Sequence, residues 1–114
     1  MKKSLLFLFY FFYRFALIAD CIDPSLLNCN FYRNCLELKR QCGQEGYALG
    51  YGEKYCNDFL SNNNFSEQGI AWRNATLICL QKSWGEMLSS IDIFDCNLIR
   101  SAGFMHHAKC YTQL

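Results

Sequence analysis

The chain has a single proline, Pro24, in 114 residues. Proline is the residue that most firmly stops a helix, so beyond position 24 the turns must rest on glycine and asparagine. Short cysteine hooks are also missing. The closest pair, Cys29 and Cys35, has five residues between its members, whereas structural zinc sites use Cys-x2-4-Cys. Net charge is small, with 11 Lys and Arg against 10 Asp and Glu. Nucleic-acid and membrane-surface modules need a concentrated basic face, so neither partner fits. No segment alternates apolar and polar residues as a half-buried strand does. There is no Gly-x-Ser-x-Gly elbow and no His-Glu-x-x-His helix, and the reading is of a protein that is not an enzyme.

The longest apolar stretch is also too short to span a bilayer. Leu5 to Ala19 is interrupted by Arg14, and a spanning helix needs about 20 apolar residues. Lys2 and Lys3, the run "LLFLFYFFY", then "FALIA" ending on small Ala19, have the layout of a secretory signal peptide. Residues 1–19 are therefore read as a cleaved signal and 20–114 as the mature domain, without a membrane span. Cleavage removes Lys2, Lys3 and Arg14 and no acid, leaving eight bases against ten acids. All eight cysteines fall in the mature part. An even count at about 8% of an exported chain predicts a disulfide scaffold and a secreted, extracellular protein.

The pattern predicts an all-α, disulfide-stapled domain of about four helices. Asp23 and Pro24 form an N-cap and first helical position for a helix running to Gly43, with Leu27, Phe31, Cys35, Leu38 and Cys42 on its inner face. Gly46, Gly50 and Gly52 of "GYALGYGEKYCNDFL" read as bends that return the chain to that helix. Lys54 to Leu60 is a short helix offering Tyr55, Cys56 and Phe59 to the core. Ser66 caps a longer helix, with Phe65 closing over Ile70 as a hydrophobic staple and Gly85 as its end. The last helix starts at Ser89 or Ser90, turns Ile91, Phe94, Leu98 and Ala102 inward, and ends at Gly103. If the first helix is continuous, Cys29, Cys35 and Cys42 lie too far apart to pair with one another. Of the 105 pairings of eight cysteines, five, then four, then three choices for these residues leave 60.

Candidate chemistry is thin. "YGEKYC" and "HHAKCY" echo the calcium loop and catalytic helix of secreted phospholipases A2, but Ala108 stands where the calcium-holding carboxylate is needed. His106 and His107 read as surface residues, since neighbours on a helix point about 100° apart and cannot readily share one ion. Asp92 and Asp95 read as a solvated helix face. No metal and no cofactor are expected. Asn64 in "NFS" and Asn74 in "NAT" are candidate glycosylation sites.

The cysteine series and its neighbours carry a family resemblance. Cys21, Cys29, Cys35-Leu-Glu, Cys42, "YCNDFL", "FSEQGIAW", "ATLICL", Cys96 and Cys110-Tyr follow in order. This resembles the stanniocalcins, secreted glycoprotein hormones with eight cysteines in matching register. The resemblance implies the pairs Cys21–Cys35, Cys29–Cys56, Cys42–Cys96 and Cys79–Cys110, which is one of the 60 schemes. It implies a regulatory protein that binds an extracellular partner, a receptor or a protease. Vertebrate members act in calcium and phosphate balance, and some restrain a pappalysin-type metalloprotease. The chain departs from the family in three places. "LELKRQ" lacks the family's usual sequon, the interval from Cys42 to Cys56 is longer, and no cysteine follows Cys110 to link two subunits, leaving only a non-covalent homodimer open. Two other readings compete. One is a saposin-like, lipid-active helical miniprotein, which would expose a broad apolar face. The other is a purely structural secreted domain.

Overall fold

The computed structural model describes residues 8–10, 21, 24 and 27–112, except for the side chains of Asp92 and Ile93. Asp23 and most of the signal-like segment lie outside these residues. Leu8, Phe9 and Tyr10 are helical and exposed.

Every element among the described residues is a helix. A π-wound segment, π1, covers Tyr32–Glu37, and a second, π2, covers Ala48–Glu53 and runs directly into α1, Lys54–Ser61. Next come α2, Glu67–Met87, a 3-10 stretch at Leu88–Ile93, and α3, Cys96–Tyr111. Allowing for the flanking helical residues, the described chain forms four rods, at 30–39, 47–61, 67–93 and 96–111.

The first rod is shorter than expected. Pro24 is buried and not helical, and the chain bends through 27–29. The helix opens at Asn30, whose backbone N–H donates to the Asn28 side-chain oxygen at 3.0 Å, an asparagine turn doing the work expected of Asp23. The rod ends before Gly43 because Glu37 Oε1 accepts the Gly43 N–H at 2.8 Å and folds the chain back. Gly43 itself takes φ +80° in the loop that follows. Winding changes which residues face inward. π-Turns bond residue i to i+5, and Phe31, Tyr32, Cys35 and Leu36 are buried, while Leu27 and Leu38 are exposed.

Gly50 and Gly52 are corrected from bends to helical positions. They lie inside π2, which continues the α1 rod without a break. Gly52 is needed because a Cβ there would run into the Tyr32 ring of π1, so its missing side chain lets the two π segments close on each other.

The two later helices begin on side-chain caps. Ser66 Oγ accepts the Gly69 N–H at 3.1 Å, as expected. Phe65 packs on Phe59, with ring centroids 6.1 Å apart, and Ile70 is 39% exposed. The helix passes Gly85 by two residues. α3 is capped by Asp95, whose Oδ1 accepts the Leu98 N–H at 2.8 Å, so Asp95 is a cap rather than part of a solvated face. This places the α3 start later than Ser89 or Ser90. Ile91 is buried and Phe94 and Ala102 pack against the core, as expected. Ile99, Gly103 and Cys110 are buried, while Leu98 is exposed. Gly103 does not end the helix, which continues for eight residues to Tyr111.

Four disulfides tie these rods together. Cys21 is joined to Cys35, Cys29 to Cys56, Cys42 to Cys96 and Cys79 to Cys110, the same pairs that the resemblance implies. The described residues contain no free cysteine. Restricting the unfolded chain is worth about 3 kcal/mol for the 14-residue separation of Cys21 and Cys35 and about 4 kcal/mol for the 54-residue separation of Cys42 and Cys96. The bridge that closes the longest loop is also the most accessible. Cys96 is exposed and Cys42 half-buried, whereas each other bridge has at least one buried sulfur partner. Thiol–disulfide exchange follows access. Under limiting reductant and rapid alkylation, Cys42 and Cys96 should be labelled before any other pair. Mass spectrometry showing Cys29 or Cys56 labelled first would contradict this order.

Candidate functional site

The chemistry-bearing residues that the fold gathers are aromatic. Tyr47, Tyr51, Tyr55 and Phe59 recur every four residues along the second rod. Arg100, Phe104, His107 and Tyr111 recur along α3 at spacings of four, three and four. These two rows face each other and make one continuous ring array. Tyr47 and Tyr51 are stacked with centroids 6.4 Å apart. Phe104 meets Tyr51 edge-on at 5.5 Å, His107 meets Tyr111 at 5.4 Å, and Tyr111 meets Trp72 of α2 at 5.6 Å. Trp72 in turn meets Phe59 at 6.4 Å.

Cations lie along this array. The Arg100 guanidinium sits 5.4 Å from the Tyr51 ring centre and 5.9 Å from that of Phe104, and its Nη2 donates to the Tyr51 hydroxyl at 3.3 Å. Lys54 Nζ lies 5.4 Å from the centre of the Tyr55 ring. Arg73 covers Phe65 at 5.5 Å. Each such contact is worth about 0.5–1 kcal/mol at an exposed site.

The array has an inner and an outer layer. Inside, Tyr47 and Trp84 are 1% and 0% exposed, with ring centroids 5.5 Å apart. The Tyr47 hydroxyl and His107 Nε2 are hydrogen-bonded at 2.8 Å. His106 meets Trp84 edge-on at 4.7 Å. Burial pushes the Tyr47 and Tyr32 hydroxyls well above the ordinary tyrosine range and holds both histidines below the ordinary imidazole value. The histidines are thus half-buried members of the array rather than surface residues. Outside, Tyr55, Phe104 and Tyr111 remain about two-fifths exposed, at 44%, 45% and 39%.

The outer layer is a platform, not a pocket. The cleft between the rods is walled by Tyr51, Tyr55 and Phe59 on one side and His107 and Tyr111 on the other, over Tyr32 and Cys56. Its enclosed space is about 10 Å³, roughly the room of one water. Among the described residues no three His, Cys, Asp or Glu side chains gather as a metal site. Residues 46–60, with their echo of a calcium loop, are mostly helix, from Tyr47 onward.

The two sequons lie in unlike settings. Asn64 is in the exposed 62–66 loop. Asn74 is half-buried on α2, its Oδ1 accepts from Arg73 Nε at 3.0 Å, and the Thr76 hydroxyl of its sequon is buried without a partner among the described residues. In a glycosylating host, the glycan is expected on Asn64. Asn64→Gln should raise gel mobility by one glycan, and Asn74→Gln should leave it unchanged; the reverse pattern would refute the assignment.

Sequence reasoning missed the residue that seats the array. A Cβ at Gly103 would strike the Tyr47 ring, so this glycine is where α3 and the second rod approach most closely. Alanine gains about 1 kcal/mol in helix propensity, while overpacking costs about 1–3 kcal/mol. Because several Tyr47 ring atoms would overlap the added methyl, the cost lies at the upper end of that range, so Gly103→Ala should lose about 2 kcal/mol net in urea unfolding, and an unchanged midpoint would remove the ring from that position.

No family model, curated protein or solved structure matches this chain.

Proposed function

We propose that the chain is a small exported regulatory protein of stanniocalcin type that acts by binding another extracellular protein through the aromatic platform. One observation carries this reading: Tyr55, Phe104 and Tyr111 stay partly exposed on a cross-linked scaffold, with Arg100 over Phe104. Tyrosine, tryptophan and arginine are the residues that dominate protein-interface energies. Rings held by their neighbours lose little conformational freedom on binding. The cysteine register, the four bridges and the secretory layout of residues 1–19 support an extracellular setting. Regulation of calcium or phosphate balance is the physiological form that the resemblance suggests.

The lipid-active reading also draws on exposed apolar side chains, Met105 at 72% among them. No helix among the described residues is long and apolar enough to cross a membrane.

One experiment separates the two. The folded protein is titrated against a pappalysin-type metalloprotease and, in parallel, against phosphatidylcholine vesicles. Saturable protease binding that Tyr55→Ser with Phe104→Ser weakens roughly tenfold or more, without vesicle co-sedimentation, is the expected result. Vesicle binding in place of protease binding favours the lipid-active reading. Protease binding that ignores both substitutions moves the interface off the platform.

A further inference from the structure

The aromatic platform rests on two half-buried titratable side chains whose environment favours the neutral form. His106 lies edge-on to the fully buried Trp84 at 4.7 Å, and its Nδ1 is buried with no hydrogen-bond partner among the described residues. His107 shares a 2.8 Å hydrogen bond with the hydroxyl of Tyr47, which is 1% exposed. A neutral imidazole can accept the tyrosine proton at Nε2, but an imidazolium can only donate there. With neutral His106 carrying its proton on Nε2, protonation adds a buried N–H at Nδ1 with nothing to receive it, and it fixes His107 as the donor to Tyr47. Both changes place charge where water is scarce.

The surrounding groups do little to offset this. From α2, Glu86 is the one nearby acid among the described residues, and it favours a charged His106. It is itself exposed. Lys109 and His107, on α3, oppose charge on His106. From the second rod, Tyr47 and Tyr51 present neutral rings, and Tyr51 already carries Arg100. Along α3, Tyr111 and Phe104 cover His107.

The covalent frame decides what protonation can move. Cys96 ties the start of α3 to Cys42, and Cys110 ties its end to Cys79. Residues 102–107 between them have no covalent tie and are held by packing on Tyr47 and Trp84 and by the His107–Tyr47 hydrogen bond. We propose that His106 and His107 form a pH-operated latch: neutral, they hold the middle of α3 on Tyr47 and Trp84, and protonated, they release it while both ends stay tethered. Because Phe104 rides on the released segment, release rearranges the exposed platform. This inference does not depend on what the platform binds.

The direction in pH follows from burial. Both histidines titrate below the free value of about 6.5. The unfolded chain takes up protons first as pH falls through that value, so folded stability starts to decline there and keeps declining until the folded histidines are charged.

The test is a titration from pH 7.5 to 4.5 on the oxidised protein carrying Trp72→Phe, which leaves Trp84 as the sole tryptophan. Trp84 emission should fall and shift to the red in a step centred below 6.5, with far-UV circular dichroism unchanged. His106→Gln should abolish the quenching part of the step. NMR titration of the histidine ring protons in the unsubstituted protein supplies a readout that needs no variant, and both midpoints should lie below 6.5. A midpoint at or above 6.5, as an imidazolium stabilised by the indole would give, overturns the latch. So does an emission step that survives in His106→Gln with His107→Gln.

Discussion

The seat of Tyr47 against the backbone of α3 is the contact on which the remaining packing depends. Gly103 removes the one side chain that would hold the two rods apart. The ring that fills the gap then touches Trp84 behind it, Tyr51 and Phe104 beside it, and His107 at its hydroxyl. Aromatic pairs in such geometries are worth about 0.5–1.5 kcal/mol each beyond the area they bury. A buried tyrosine must also satisfy its hydroxyl, and His107 is the residue that does so. The same logic recurs one layer away, where Gly52 admits the Tyr32 ring. Two ring-on-glycine contacts thus set the distances from the second rod to its neighbours on either side.

Disulfides and packing act on different parts of this frame. The bridges shrink the unfolded ensemble and fix which segments are neighbours, with three of the four joining the region around the first rod to Cys21, Cys56 and Cys96. They do not choose the rotation of a helix between its anchors. For α3 that choice falls to the Asp95 cap and to Gly103, which together turn Ile99 inward and leave Leu98 outside. A buried polar contact assists elsewhere. Gln81 Nε2 donates to the Asn28 carbonyl at 2.7 Å and fixes the bend beside the Cys29–Cys56 bridge to α2.

The helical class and the α2 helix were legible because their signals are local. Ser66 followed by an unbroken apolar pattern states a helix start in a few residues, and the lack of proline beyond Pro24 together with absent alternation excludes most other classes. The misread positions share one physical feature: their role is set by a residue far away in the chain. A glycine that stops a helix and a glycine that receives a ring look alike in sequence, so the local pattern assigns Gly50, Gly52 and Gly103 to turns or ends. Tyr47 lies 56 positions before Gly103, and nothing near either residue announces the other. The local pattern puts the histidines at the surface for the same reason, since their burial comes from Trp84 and Tyr47 on other rods. π-Winding of residues 32–37 escaped a reading based on a 3.6-residue period, and with it the inward turn of Tyr32 and Leu36.

Exposure of the outer rings follows from what fills the space beneath them. Tyr32 and the Cys29–Cys56 bridge occupy the floor of the cleft between the rods. Tyr55, Phe59 and Tyr111 therefore cannot sink further without opening that bridge or displacing a ring that is 1% exposed. The covalent pairing that stabilises the scaffold is also what holds its aromatic surface outward. An occupant gains nothing by burrowing, because the cleft has room for about one water. It must instead lie across the ring faces and edges, where Arg100 and Lys54 add positive charge. Such a surface suits a broad contact made by stacking and selects against a small ligand that needs enclosure.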